Sequence, residues 1–566
     1  MDRSPLTRRG ALTAAMATTA ALAVPVAAHA SAPAKAGAAE AGQLMPKIPK
    51  GKVLRVAMAD TEKAAGRPGS ARQASLTDDT VLPNDTMGWD TVSAVKLTDV
   101  NRAIAGNTTL PDSWSAEIEA SPFSQQVQVT GGFDTWSLTP GGTGGNVLMS
   151  IPFTATLVVG DPTQKPTTYD IQGGTSTVEV SLEYHNSSSD RNVKELKLQS
   201  SPDDGGDDDG DDDDDKPLAL VTKLNFTAPV IRDSAEKAAV IRNLETLLQQ
   251  WLNSRDANDT ANLGKFDHVF ATVDLNTAEA QGELAWLTPT TREYAYVNGK
   301  TPDTSYLGVL CMTENRDPGT AAQELAPGAI IAGAQATFTL SMERVIDKMV
   351  MPALKHSFPD GDFVVQGDEV LSKGDFSLDP VKGGGLTYYP KATSFDFSVL
   401  GQTLQVEMDV HIPISPGIDG YATMKYRVLP SMTQNDKGEP TLTFDVVTQD
   451  SDHWYTVADW VEGIEIGVDI VFAILTAGVG VMLARGASLM VKVAIAVVSA
   501  LVAGLPALFE SIPLFNATAA LKSLPGMTEM VNAVTGPITW ADAKTFNPTT
   551  AMINGGLQVG GTCFSQ

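Results

Sequence analysis

Residues able to do chemistry are few and scattered along this chain of 566 residues. After residue 30 five histidines remain, His185, His268, His356, His411 and His453, and no two of them lie close in the sequence. Acid–base work or metal ligation by imidazole needs such groups gathered at one point. Two cysteines, Cys311 and Cys563, are too few for a disulfide scaffold or a multi-cysteine zinc site. The metal-binding H-E-x-x-H, the phosphate-cradling G-x-x-x-x-G-K-[ST], the G-x-S-x-G elbow and a G-x-G-x-x-G turn are all missing. Gly174-Thr175-Ser176-Thr177-Val178 fails at its last position. Cys311 sits in the apolar stretch Leu310-Cys311-Met312, which suits a buried thiol better than a nucleophile. The expectation is therefore no catalytic residue, no metal and no cofactor. A serine, histidine and aspartate gathered only by the fold would leave no such signature, so an unrecognised secreted hydrolase stays open as an alternative.

The charge balance narrows the partners. The formal net charge is −27, and 43% of residues are hydrophobic, an ordinary globular fraction. A body this acidic repels phosphate backbones, so nucleic acid is not an expected partner. Ten aspartates fall between Asp203 and Asp215. They repel one another and bury nothing, so 201–217 reads as a disordered acidic loop. A calcium loop does not fit: with Gly210 as its sixth position, Gly205 falls where the first Asp ligand belongs.

The chain opens with an address. Thr7-Arg8-Arg9-Gly10 followed by a weakly hydrophobic stretch to Ala28 reads as a twin-arginine export signal, with cleavage after Ala30 in Ala28-His29-Ala30. The expectation is a secreted protein. Residues 31–83, rich in Ala, Gly, Ser and Lys, read as a flexible linker. Export would permit oxidation, and Cys311 with Cys563 is the minimum for one bridge; a buried Cys311 thiol is the other reading.

The elements of the body are mainly strands. Leu404 to Ile412 alternates apolar and polar without a fault, and Phe395–Val399 and Leu442–Val446 do the same. Gln125–Val129, Val147–Val159 and Thr177–Tyr184 are earlier strands, separated by glycine-rich turns. Strands this long and half-wet suit a large curved antiparallel sheet. One helix spans Ser234–Asn253, with Val240, Ile241, Leu244, Leu247, Leu248, Trp251 and Leu252 at helical spacing. A second runs over Met342–Met351, capped by Ser341 and stopped by Pro352. The fold class is α+β, mainly β, with a body over 84–448.

Residues 449–525 carry the strongest apolar signal. Ile470–Ala484 and Val493–Phe509 hold no charge, and Arg485 and Lys492 lie between them. They read as an apolar helical hairpin, after which 526–566 returns as strands. At about 1.5 Å per residue both runs fall short of the roughly 30 Å of a bilayer core. Burial against the sheet is one reading. Insertion at a membrane surface, as a pore-forming toxin component, is the other, with Ile470, Val471, Phe472, Val479, Val497 and Val498 as contacts. Asp459, Glu462, Glu465 and Asp469 precede the first run, and acid would neutralise them.

Several segments resemble the OrfX and forty-seven-kilodalton accessory proteins of clostridial neurotoxin clusters. They are Gly88-Trp89-Asp90-Thr91-Val92, Phe133-Asp134-Thr135-Trp136, His268-Val269-Phe270-Ala271, Ala285-Trp286-Leu287-Thr288-Pro289, Gly308-Val309-Leu310-Cys311, Ile538-Thr539-Trp540 and Asn554-Gly555-Gly556-Leu557. The resemblance runs from about Gly88 to Gly560. It implies a TULIP-type fold, a twisted antiparallel sheet rolled around a long helix as in tubular lipid-binding proteins. It also implies toxin-complex partners and a lipid or fatty acid ligand. On that reading the protein is non-enzymatic and lipid-binding, and Leu244, Leu248 and Trp251 on the long helix line the apolar site.

Overall fold

The computed structural model describes residues 54–55, 81–458 and 537–564, apart from 108, 123–124, 161–164, 202–216, 258–259, 276–284, 379, 384–385, 435–437, 439 and 544–545. The acidic loop, the export segment and both uncharged runs lie outside the described residues, and with them the added apolar hairpin and Ile470, Val471, Phe472, Val479, Val497 and Val498.

Alternation of apolar residues dictates the first sheet. In Asn146–Val159 the residues Val147, Met149, Ile151, Phe153, Ala155 and Leu157 are all buried, so one face is dry along the whole strand. This strand lies within a nine-stranded antiparallel sheet. In spatial order its main path is Ile538–Trp540, Ala271–Asp274, Val193–Leu198, Thr167–Asn186, Asn146–Val159, Val127–Phe133 and Ser113–Ile118. Ser137–Thr143 also pairs with Asn146–Val159, and Ala219–Asn225 with the far side of Thr167–Asn186.

Helix α1, Leu97–Asn107, follows the strand Thr91–Lys96 directly, and helix α2, Ser234–Asn253, has the bounds its apolar spacing requires. Asp233 caps it: the carboxylate accepts from the backbone N–H of Ala235 at 2.8 Å and of Glu236 at 3.0 Å. The helix packs against both Ala219–Asn225 and Ser113–Ile118, which stand on opposite sides of the strand pair 146–159 and 167–186. The helix thus touches strands on both sides of that pair.

A six-stranded sheet comes next, in the order Pro289–Val297, Tyr306–Thr313, Thr91–Lys96, Ala336–Ser341, Gly556–Thr562 and Asn547–Ile553. Every residue of Tyr306–Thr313 and of Ala336–Ser341 is buried. These strands are dry on both faces. The third sheet has eight strands, and its main path runs Leu54–Arg55, Pro440–Val457, Ile418–Gln434, Thr403–Ser415, Lys391–Leu400, Glu369–Ser372 and Phe363–Gln366. Leu404, Val406, Met408, Val410 and Ile412 form its dry face, as their alternation predicts.

Three boundaries move. Pro440–Val457 remains a strand past 448, where the body was expected to end. Leu54–Arg55, inside the expected linker, is a strand, and the carbonyls of Leu82 and Pro83 are bonded to Asn554 Nδ2 and Gly328 N. Pro352 does not stop its helix. The chain runs as α3, Met342–Val345, then a wider π-type turn, Ile346–Val350, then α4, Met351–Ser357. Proline at the start of α4 lacks an N–H that would find little use there, and the wider turn before it absorbs the missing bond. The Ser341 cap does form, with Arg344 N donating to its Oγ at 3.4 Å.

Candidate functional site

The residues expected to meet a lipid are the spine of α2. Leu244 and Leu248 are fully buried and Trp251 is 7% exposed. Phe133 lies 5.2 Å from Trp251 and 5.3 Å from Trp136, which stacks on Phe266 at 5.3 Å. Side chains of the sheet and the helix thus close on one another around these residues. Polar contacts at the helix margin are few. Asn253 Oδ1 accepts from Ala219 N at 3.0 Å, its Nδ2 donates to Ala219 O at 2.8 Å, and Gln249 Oε1 accepts from Val221 N at 3.2 Å. All three bind the same strand, Ala219–Asn225.

A second cluster is ionic and was not legible as one site. Gly88, at φ +91°, turns the chain into Trp89 and Asp90. Asp90 is 1% exposed. Its Oδ2 accepts from Thr313 N at 2.9 Å and Thr313 Oγ1 at 2.8 Å, and its Oδ1 takes Arg316 Nη1. These partners come from the end of the strand Tyr306–Thr313 and from the turn after it. In that turn Arg316 N donates to Thr313 O at 3.0 Å, and Glu314 and Asn315 sit at φ 52° and 55°. Arg344 of α3 is 3% exposed, with its Nε 3.9 Å from Asp90 Oδ2 and its Nη2 on Glu314. Its guanidinium lies over the Trp286 ring at 5.4 Å. Lys348 reaches Glu314 at 2.8 Å, and Arg316 Nη2 bonds Glu343.

Four of the segments that carry the resemblance thus meet in the central sheet. Trp89 donates from Nε1 to Ala322 O at 2.8 Å. Trp286 covers Arg344, Thr313 closes on Asp90, and Gln558 donates to Gly328 O at 3.0 Å. Their work is structural. A buried carboxylate needs cations and donors, and an isolated Asp after Gly-Trp was the one sign in the sequence that such partners had to exist.

Burial pushes the Cys311 and Cys563 thiols up to about 12. The expected bridge between them does not form; both cysteines are free and buried. Cys311 is level with Thr91, and Cys563 follows the strand Gly556–Thr562, three strand spacings away. At roughly 4.8 Å per spacing that separation exceeds the ~7 Å Cα limit of a disulfide. Burial lowers His268 to about 4, so it is neutral near pH 7. His411 Nε2 meets Asp419 at 2.8 Å and His185 lies 3.7 Å from Glu183, each facing a carboxylate rather than a nucleophile.

Two surface cavities are polar. One of about 410 Å³ opens over Ser394, Asp396, Glu407 and Asp409. Burial, then the neighbouring Glu369 and Glu407, raise Asp396 above its ordinary value. The other, about 340 Å³, is lined by His185, Glu195, Lys197 and Asp267. Neither touches Leu244, Leu248 or Trp251. Among the described residues no group of three His, Cys, Asp or Glu could hold a metal ion, and no helix is long and apolar enough to cross a membrane.

Comparison with known proteins agrees with this geometry. The OrfX-like family model, described as Protein OrfX2/OrfX3/P47, matches residues 86–561. Protein OrfX3 of Paraclostridium bifermentans is 27% identical over 506 residues, covering 84% of this chain and 98% of that protein. Protein OrfX3 of Clostridium botulinum (strain Kyoto / Type A2) is 24% identical over 506 residues, covering 85% and 99%. The solved structure of P47 from Clostridium botulinum A2 aligns with a TM-score of 0.50 at 15% identity, over 85% of this chain and 99% of that one. That likeness concerns the fold: mainly antiparallel sheets with few helices.

Proposed function

The chain belongs to the OrfX-like family, and from that membership we propose that it is a non-enzymatic lipid-binding protein, an accessory or effector component of a toxin-like system. The observation that carries the reading is the stripe Val240, Leu244, Leu247, Leu248, Trp251 and Leu252, buried on a helix that packs against strands on both sides of the pair 146–159 and 167–186, which supports a sheet rolled into a tube around it. A tube of this design, of the TULIP type, holds an acyl chain by apolar contact and needs no reactive group. Since the interior is packed, entry of lipid or fatty acid requires α2 to part from Ala219–Asn225, where the Asn253 and Gln249 bonds are the polar ties. The reading includes export through the Arg8-Arg9 signal, testable as a mature N-terminus at Ser31 in protein recovered from the medium.

The test of lipid carriage is native mass spectrometry of the mature protein, followed by lipid extraction and re-addition of phospholipid and fatty acid. Bound lipid, reduced in a folded Leu248→Asp variant, supports the proposal. Delipidated protein that stays monodisperse and takes up neither ligand overturns it. The uncharged runs Ile470–Ala484 and Val493–Phe509 favour a second reading, membrane insertion. Dye leakage from liposomes at acid pH, abolished by Val479→Asp in a folded variant, would move the function there; absence of leakage at any pH would remove it.

A further inference from the structure

The aromatic cluster beside α2 contains two polar atoms that its packing does not serve. Trp114, in Ser113–Ile118, is 3% exposed, and Trp136, in the link between Val127–Phe133 and Ser137–Thr143, is fully buried. Neither indole Nε1 has a hydrogen-bond partner, although a buried tryptophan ordinarily finds one. The rings that they meet edge-on, Phe153 at 86° to Trp114 and Phe133 at 83° to Trp136, are second-order acceptors. Both indoles pack on Phe133, at 5.9 and 5.3 Å, and Phe133 in turn packs on Trp251 of α2. The two donors therefore stand beside the C-terminal end of the apolar stripe. We propose that they are the polar recognition point of the lipid site, donating to carbonyl oxygens of a neutral acyl ester whose chain lies along α2. This rests on the lipid-binding reading above and adds to it the class of lipid.

Donor type, charge and room select that class. An indole N–H donates and cannot accept, so the ligand atom facing it is an acceptor. Among the described residues Arg344 is the one buried lysine or arginine, and it belongs to the ion cluster at Asp90. Lys265, whose Nζ lies 5.7 Å over the Trp251 ring, is exposed. The last turn of α2 holds no basic residue, and the C-terminal end of a helix disfavours an anion. A carboxylate or phosphate beside the two indoles would be a buried charge without a counter-ion, whereas an ester carbonyl is satisfied by an N–H. Room is left at Trp114, which is level with Gly131 of the adjacent strand. A Cβ at position 131 would stand 2.6 Å from Trp114 Nε1 and 2.3 Å from Thr154 O. Glycine keeps that flank of the indole nitrogen uncovered.

The test uses the mature protein and three probes of matched chain length: methyl oleate, oleate and octadecene. Affinity is read by native mass spectrometry, and hydrogen bonding by the indole N–H proton resonances of nitrogen-labelled tryptophan. Methyl oleate should bind more tightly than the other two and move two indole protons downfield, while octadecene leaves them in place. Trp114→Phe and Trp136→Phe keep a ring in the stack and remove one N–H each. Each should weaken methyl oleate about two- to tenfold and leave octadecene unchanged. Ester affinity unchanged in both variants, or no indole shift in the wild type, overturns the proposal and leaves lipid carriage intact. So does oleate bound more tightly than the ester. Failure of all three probes to bind overturns the lipid-binding reading and this site with it. Where a variant does not fold, the indole shifts of the wild type decide by themselves.

Discussion

Helix α2 is held in its sheet by an apolar stripe, a few amide bonds to Ala219–Asn225 and one bond from Tyr169 to Glu236. The helix from Met342 to Ser357 also buries an apolar side, but its first turns are fastened by Arg316, Arg344 and Lys348 against Asp90, Glu314, Glu343 and Asp347. Apolar packing is non-directional, so a helix resting on it can shift and repack. In the ion cluster Asp90 and Arg344 are buried while their partners reach the surface, and a shift that separates these two from their partners leaves a buried charge unpaired. The difference separates a helix held mainly by shape from one whose position is fixed by named charged partners.

The sharpest way to break the comparison is to remove Asp90. Asp90→Ala leaves Arg316 and the buried Arg344 without their shared carboxylate, and should lower stability to urea by about 3–5 kcal/mol. A loss below about 1 kcal/mol would mean that the cluster is a surface network of little consequence. On the apolar side, Leu248→Ala should cost about 2–5 kcal/mol, toward the lower end if α2 settles into the space. It should leave hydrogen exchange in 342–350 unchanged. A change there would show that the two helices are energetically coupled. Asp233→Ala removes the α2 cap and should cost about 1 kcal/mol in the same titration.

The smallest effect concerns acid. Burial alone would raise Glu314, but its bonds to Lys348 and Arg344 outweigh this and bring its carboxyl below the ordinary glutamate value. A depressed carboxyl contributes stability that is present above the unfolded value, about 4.3, and is lost as pH falls through the folded one. Amide exchange in 342–350 should therefore quicken below about pH 4 relative to α2, and Glu314→Gln should remove that difference. Equal acid responses of the two helices in the wild type would count against the contrast.

The limits of sequence reading follow the same division. The bounds of α2 and the alternation of Asn146–Val159 and Thr403–Ser415 are local patterns, visible because one face is dry and the other wet. The central sheet was harder to read because Tyr306–Thr313 is buried on both faces and does not alternate, while Ala336–Ser341 alternates in residue type although both its faces are buried. Asp90 and Thr313 lie far apart in the chain, so no spacing rule could pair them. Pro352 was read by its usual effect, and the wider turn that accommodates it has no signature in residue type. Leu244, Leu248 and Trp251 were correctly placed on one helix face. Whether that face meets solvent, sheet or ligand depends on the curl of the sheet, a property of all its strands together.

The two buried thiols have a consequence of a different kind. Cys311 and Cys563 are held as neutral S–H groups, apart from each other, with burial pushing both up to about 12. A thiol in that state is a poor nucleophile and a poor target for oxidants. The described fold has no bond that an oxidising compartment must make or that a reducing one could cut. It can be completed in the same covalent form in a reducing or an oxidising compartment, with no disulfide exchange to wait for.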